Sequence, residues 1–157
     1  MPSSITLDGR SLSIADVVAT AREGVRVAIP PEVLARVARA RAGVEAALAR
    51  GETIYGVNTG FGKLAHVRIP PESLRDLQLN LIRSHASGVG TPLPVEAVRA
   101  MMVLRANVLL METSGVRPVL AETLVAMLNA AVHPVVPSQG SVGASGDLAP
   151  LSHLALA

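Results

Sequence analysis

Residues 95–115, "VEAVRAMMVLRANVLLMETSG", decide the fold class. Pro94 precedes them, at the one end of a helix where a missing N–H and a fixed φ do no harm. Apolar side chains then recur on nearly every side of a 3.6-residue turn, interrupted by Glu96, Arg99 and Arg105. A helix that is hydrophobic almost all round is covered by other helices, so the stretch predicts the central member of a bundle. Downstream, residues 118–133 predict a further long helix, closed by Pro134. Upstream, a helix spans about 71–86 and ends at Gly88 and Gly90, and Pro30-Pro31 opens another that runs to about Arg50 with Gly51 as its stop. Nearer the N-terminus, Ser13 and Asp16 have capping-box spacing ahead of a short helix ending near Gly24. Ile5 and Leu7, then Val25, Val27 and Ile29, alternate with other residues as short strands do. The expected architecture is mainly α, a helical bundle with a small N-terminal strand element. Residues 51–71 have neither period and predict a long loop, a kind of segment that is mostly functional or disordered.

Composition narrows the chemistry. A chain of 157 residues can bury a real core, and with Tyr55 and Phe61 as its only aromatics that core must be aliphatic. The net charge is +2, and arginine supplies all of the positive charge except Lys63. Arg36, Arg39, Arg41 and Arg50 share one predicted helix with Glu32 and Glu45, which reads as a solvated face. No aromatics interleave with those arginines to stack bases, so nucleic acid is not expected. There is no cysteine, which excludes disulfides, thiolate metal sites and cysteine nucleophiles, and no metal site is expected. Met1-Pro2-Ser3-Ser4 lacks the pattern of a signal peptide. Arg105, Glu112, Arg117, Glu122 and Pro134 interrupt the apolar runs before any could span a membrane. A cytoplasmic protein is the expectation. The closing segment "LAPLSHLALA", residues 148–157, reads as a helix entering a core and carries no stop signal, so the chain is expected to be a piece of something larger.

Three stretches carry candidate chemistry. In "SQGSVGASGDLAP", residues 138–150, a glycine-rich turn runs into a helix, a place where N–H groups and the helix dipole favour an anion. The lysine of a phosphate-binding loop is absent, however, and Gly146 follows Ser145 directly, which breaks the G-x-S-x-G nucleophile pattern. Ala144-Ser145-Gly146 permits a different reaction. If the Gly146 nitrogen is pressed against the Ala144 carbonyl carbon, the backbone can close a five-membered ring. Glycine offers an unhindered nitrogen and tolerates strained torsions, the serine hydroxyl leaves as water, and alanine keeps the turn small. Loss of two waters gives 4-methylideneimidazol-5-one, an electrophile that no ordinary side chain provides. In "YGVNTGFGKL", residues 55–64, Tyr55 stands at the edge of a three-glycine segment, as a proton-transfer group on a lid would. In "LQLNLIRSHASGVG", residues 77–90, Leu77, Leu81 and the pair Ser84-His85 share a helical face with Leu74, so the pair points toward the interior or a pocket.

Taken together, "YGVNTGFG", "SHASGVG" and "GSVGASGDLAPLSHLAL" resemble the aromatic amino acid ammonia-lyase family, in its order and at about its spacing, and most closely its histidine-specific members. The resemblance covers the whole chain, residues 1–157, as the N-terminal part of the family's helical domain. It implies that Ala144, Ser145 and Gly146 form the methylidene-imidazolone autocatalytically with no external cofactor, and that the helix opening near Asp147 supports that group. It implies Tyr55 as the catalytic base and Ser84 and His85 as the substrate-binding pair, with His85 against an imidazole. A tyrosine base needs donors or positive dipoles at its oxygen, because a free phenol titrates near about 10. The implied reaction is non-oxidative deamination of L-histidine to trans-urocanate and ammonia, in a homotetramer whose sites mix residues of several subunits. Family chains continue well beyond residue 157, so this polypeptide alone is expected to be inactive. Two rivals stand beside this reading: a phenylalanine or tyrosine ammonia-lyase or aminomutase of the same family, and an anion-binding helical module without covalent chemistry.

Overall fold

The computed structural model describes residues 4–140 and 148–157. In chain order its elements are β1 (Ile5–Thr6), α1 (Ile14–Arg22), β2 (Val27–Ala28), α2 (Pro31–Ala49), α3 (Leu74–His85), β3 (Val89–Pro92), α4 (Val95–Leu109), α5 (Pro118–Asn129), β4 (Pro137–Gln139) and α6 (Leu148–Ala155), with single 3-10 turns at Gly62–Leu64 and Pro71–Ser73. They fall into two units, Met1–Val44 with Leu93–Pro134, and Glu45–Pro92 with Val135–Ala157. Among the described residues no helix is long and apolar enough to cross a membrane.

In the first unit the expected strand element forms as a parallel pair, with Ile5 opposite Val27 and Thr6 opposite Ala28. The other edge of β2 is closed by a side chain: Asn129 Oδ1 accepts the Val27 N–H (3.0 Å) and its Nδ2 donates to the Val27 carbonyl (2.8 Å). Ser13 caps α1 in a reciprocal box with Asp16, as its spacing predicts. The core is aliphatic, with Leu7, Val33, Val37, Met102, Val103, Ala106, Leu110, Ala121 and Leu128 all buried.

α4 departs from the all-round burial its sequence suggests. It packs on α1 and α5, burying Val98, Met102, Val103 and Ala106, while Leu104 and Val108 are exposed. Two helix ends also come earlier than expected. α5 stops at Asn129 rather than His133, because Ala131 takes a left-handed φ of 55°. The Val132 N–H then donates to the Met127 carbonyl (2.9 Å) and the Ala131 N–H to Leu128 (3.3 Å), the two bonds of a Schellman cap. α4 stops at Leu109, ahead of Glu112, whose φ is 68°. The Glu112 carboxylate meets Arg36 Nε at 2.5 Å.

Arg99 is buried at the centre of this unit and lies against carbonyls rather than a carboxylate. Its Nε and Nη2 donate to the Thr20 carbonyl (2.9 and 2.8 Å) and its Nη1 to Leu128 (3.2 Å). Both acceptors belong to last turns, where helix carbonyls lack intrahelical partners and the dipole is negative. Nη1 also lies 2.9 Å from His133 Nε2, which must therefore be the acceptor nitrogen of that ring. Burial, then the nearby guanidinium, lower the His133 pKa below its ordinary value.

In the second unit the 51–71 segment has little regular structure, as its lack of period predicts, yet it is internally bonded. Asn58 is buried and acts as its hub: Oδ1 accepts the Ile54 N–H (2.7 Å), Nδ2 donates to the Glu52 carbonyl (2.8 Å), and its carbonyl accepts from Ile69 (2.9 Å). An antiparallel bridge joins Thr59 to Arg68. α3 begins at Leu74, three residues later than expected, because the first turn after Pro70 is 3-10. The glycines expected only to stop α3 instead lead into β3, which pairs antiparallel with β4.

Candidate active site

The 51–73 loop and α3 border an open cavity of about 370 Å³. Its walls are apolar, with Phe61, Leu64 and Ile69 from the loop facing Leu77 and Leu81 of α3. Three polar residues interrupt that lining: Asn80, Ser84 and His85. The helical face inferred from the sequence therefore does border a pocket. Asn80 belongs to the same face, three residues after Leu77 and four before Ser84, so the periodicity that singled out the pair also contained it.

The Ser84-His85 pair is held by a single carbonyl. His85 Nδ1 lies 2.8 Å from the Leu81 carbonyl oxygen and 3.1 Å from Ser84 Oγ, and the Ser84 hydroxyl donates to the same carbonyl at 3.0 Å. A carbonyl oxygen only accepts, so Nδ1 carries the ring proton in this contact. In the neutral ring that leaves Nε2 as a bare acceptor, and it has no hydrogen-bond partner among the described residues.

Tyr55 lies apart from that pair. It is 63% exposed, and its ring meets Phe61 edge-to-face, 6.1 Å between centroids at 72°. The Gly62 N–H donates to its phenol oxygen over 3.4 Å, supplying a backbone donor that the sequence alone could not identify. Tyr55 is not among the described residues lining the cavity, whereas Phe61, on which it leans, is. Gln78 of α3 bonds the Gly56 carbonyl (3.1 Å) and ties the tyrosine's segment to the helix bearing the pair.

Ala144, Ser145, Gly146 and Asp147 lie outside the described residues. The described residues on either side of them are in close contact. Gly140 has a φ of 143°, and a Cβ placed on it would lie 3.2 Å from the Ala149 Cβ of α6 and 2.9 Å from the Gly88 Cα. Neither this backbone conformation nor this gap accommodates a side chain. α6 also contributes His153, whose Nε2 accepts the Gly88 N–H at 3.0 Å. Nothing in the sequence spacing marks His153, because its partner is 65 positions away. Among the described residues no group of three or more His, Cys, Asp or Glu could hold a metal ion.

Comparison with known proteins agrees with this arrangement. Residues 12–157 match the aromatic amino acid lyase family. A histidine ammonia-lyase of Geobacillus thermodenitrificans is 58% identical over 153 residues, 98% of this chain and 30% of that protein. Among solved structures, the histidine ammonia-lyase of Trypanosoma cruzi aligns with a TM-score of 0.85 at 44% identity, over 98% of this chain and 29% of that one. The tyrosine aminomutase of Streptomyces globisporus aligns with a TM-score of 0.90 at 36% identity, over 97% and 28%. The chain thus spans about 30% of the length of the curated relatives it matches. With the fold, the cavity and the matched residues pointing the same way, the chain belongs to the aromatic amino acid lyase family.

Proposed function

We propose that the protein containing this chain releases ammonia from L-histidine to leave trans-urocanate. In that elimination the Cα–N bond breaks with its electron pair leaving on nitrogen, a proton leaves Cβ, and a Cα–Cβ double bond forms. Neither departure is easy, since the amine is a poor leaving group and the β-proton is weakly acidic. Ala144, Ser145 and Gly146 are the residues that would form and hold a 4-methylideneimidazol-5-one, which supplies the electrophile for this step. The contact of Gly140 with Ala149 fits such a group, because it brings the described residues flanking the triplet against one another. The start of α6, at Leu148, would present a positive helix end to negative charge developing there.

The remaining roles belong to the chain's own side chains. Nε2 of His85 accepts the N–H of the substrate imidazole, and Ser84 shares the Leu81 carbonyl that orients the His85 ring. Apolar side chains, Phe61, Leu64, Ile69, Leu77 and Leu81, flank that contact. Tyr55 takes the proton, held by the Gly62 N–H and by Phe61. The observation that carries histidine as the substrate is His85 itself, which lines the cavity beside Asn80 and Ser84 with Nδ1 tied to the Leu81 carbonyl and Nε2 left without a hydrogen-bond partner among the described residues. The exposed apolar residues Leu104, Val108 and Met111 support contact of this chain with further protein; a cytoplasmic homotetramer, and an isolated chain without activity, belong to the same proposal.

The test is made on the full-length protein, with histidine-dependent appearance of the conjugated, ultraviolet-absorbing acrylate as the readout. Ser145→Ala abolishes turnover on this reading, and survival of turnover in that variant refutes it. The likeness to a tyrosine aminomutase supports one rival, an aromatic substrate with a phenyl or phenol ring. His85→Leu, assayed with both histidine and phenylalanine, separates the two: histidine turnover falls under our reading, and histidine turnover that is unaffected by the substitution refutes the role of the pair.

A further inference from the structure

The end of α3 has a backbone arrangement that makes His153 of α6 more than a packing residue. Ala86, with φ −77° and ψ 58°, forms an inverse γ-turn directly after His85, closed by the Ser87 N–H on the His85 carbonyl at 2.8 Å. The Ala86 N–H is satisfied by Ile82 (3.0 Å). The next amide along the chain, that of Gly88, is directed at His153 Nε2 (3.0 Å). This partly buried backbone donor takes as its acceptor an imidazole from another helix. Because the Gly88 N–H can only donate, Nε2 holds the lone pair and the His153 ring proton sits on Nδ1.

The fit depends on Gly88 having no side chain. A Cβ there would lie 3.0 Å from His153 Nε2, 3.2 Å from His153 Cδ2 and 3.2 Å from the Gln139 carbonyl oxygen, tighter than ordinary van der Waals contact. At the other end of α6, Ala149 is buried against the Gly140–Gly88 approach. Two points therefore hold α6 to this backbone, Ala149 in its first turn and His153 in its last. One point is a steric contact and the other a directional hydrogen bond.

We infer that His153, in its Nδ1-protonated form, is a positioning residue that sets the Ser84-His85 pair at a fixed distance and angle from the helix that follows Ala144-Ser145-Gly146. It is not among the described residues that line the cavity. It locks the turn that ends α3 and so fixes where the Ser84-His85 pair stands relative to α6. This deepens the histidine-elimination reading above and rests on it. A positional error of about 1 Å in such an arrangement can cost roughly a hundredfold in rate.

The experiment uses the full-length protein and compares His153→Phe, His153→Gln and Ser145→Ala. Readouts are intact mass, which registers loss of two waters at the triplet, and kcat and KM for histidine. His153→Phe keeps a ring but offers no acceptor, and kcat/KM falls between about tenfold and about a hundredfold while the two-water mass loss persists. His153→Gln, whose amide oxygen can accept the Gly88 N–H, recovers most of that loss. A Phe variant within twofold of wild type, or a Gln variant no better than the Phe variant, overturns the inference. If the Phe variant does not fold, the Gln variant decides alone: near-wild-type kcat/KM supports the inference and a tenfold loss overturns it. Ser145→Ala separates the two levels of the argument. Turnover surviving there sinks the elimination reading itself, whereas an inactive Ser145→Ala beside a fully active His153→Phe sinks only the role of His153.

Discussion

Asn129 closes the free edge of β2 in place of a third strand, and replacing it tests whether that two-point contact holds the N-terminal strand pair. Asn129→Leu keeps the side-chain volume but leaves the Val27 N–H and carbonyl without the partners now at 3.0 and 2.8 Å. Val27 is buried, 2% exposed, so water cannot readily replace the amide. Each buried polar group left unpaired costs about 1–3 kcal/mol, which puts the loss for two groups at roughly 2–6 kcal/mol. Asn129→Asp is the more discriminating change. Its carboxylate can still accept the Val27 N–H, but its second oxygen faces the Val27 carbonyl where a donor stood. That repulsion favours the protonated acid, raising the folded-state pKa of the new carboxyl above its unfolded value of about 3.9. Once protonated, the group regains a donor for the carbonyl. The destabilisation relative to wild type is therefore full above the raised folded pKa and fades as pH falls through it toward the unfolded value. Urea denaturation followed by far-ultraviolet circular dichroism, with wild type and both variants compared at matched pH between about 3 and 7, reads the effect directly. A penalty for Asn129→Asp that does not change with pH, or an Asn129→Leu variant as stable as wild type, refutes the reasoning.

Two further outcomes follow from the first unit. Met102 is fully buried, and Met102→Ala costs about 2–5 kcal/mol in the same denaturation experiment, whereas Leu104→Ala, on the exposed side of α4, costs well under half of that. His133 has its pKa lowered by burial and by the Arg99 guanidinium, so the folded state binds its proton less readily than the unfolded chain. Its contribution to stability is present above the unfolded value of 6.5 and is lost as pH falls through the depressed folded pKa. Nuclear magnetic resonance titration of the His133 ring checks the direction, and His133→Gln removes that part of the acid sensitivity.

Helix ends show where local signals sufficed and where they did not. Gly51 is a legible stop for α2: its φ is 78°, and its N–H and that of Glu52 bond the Leu48 and Ala47 carbonyls in a Schellman cap. α5 ends in the same cap, but the left-handed position is occupied by Ala131, a residue with no preference for it. Ala131 and Val132 are both exposed, and neither residue type signals a stop, so the sequence reading extends the helix to His133. β3 and β4 were illegible for a similar reason. "VGTP" and "PSQ" have no alternating pattern, and they pair because the chain brings them together across more than forty positions. Within the candidate site, Ser84 and His85 were legible because helical period alone places them beside Leu77 and Leu81. Asn80 was legible in principle on the same grounds.

The chain's own order of residues was enough to establish a mainly helical architecture, an aliphatic core and the motifs that mark the aromatic amino acid lyase family. These depend on period, composition and short-range chemistry, all carried by neighbours in the chain. Tertiary structure alone decided which nitrogen of His85 is tied to the Leu81 carbonyl, that a backbone N–H reaches the Tyr55 oxygen, and that His153 accepts from Gly88. Those facts rest on hydrogen-bond directions between groups whose separation in sequence bears no relation to their distance in space.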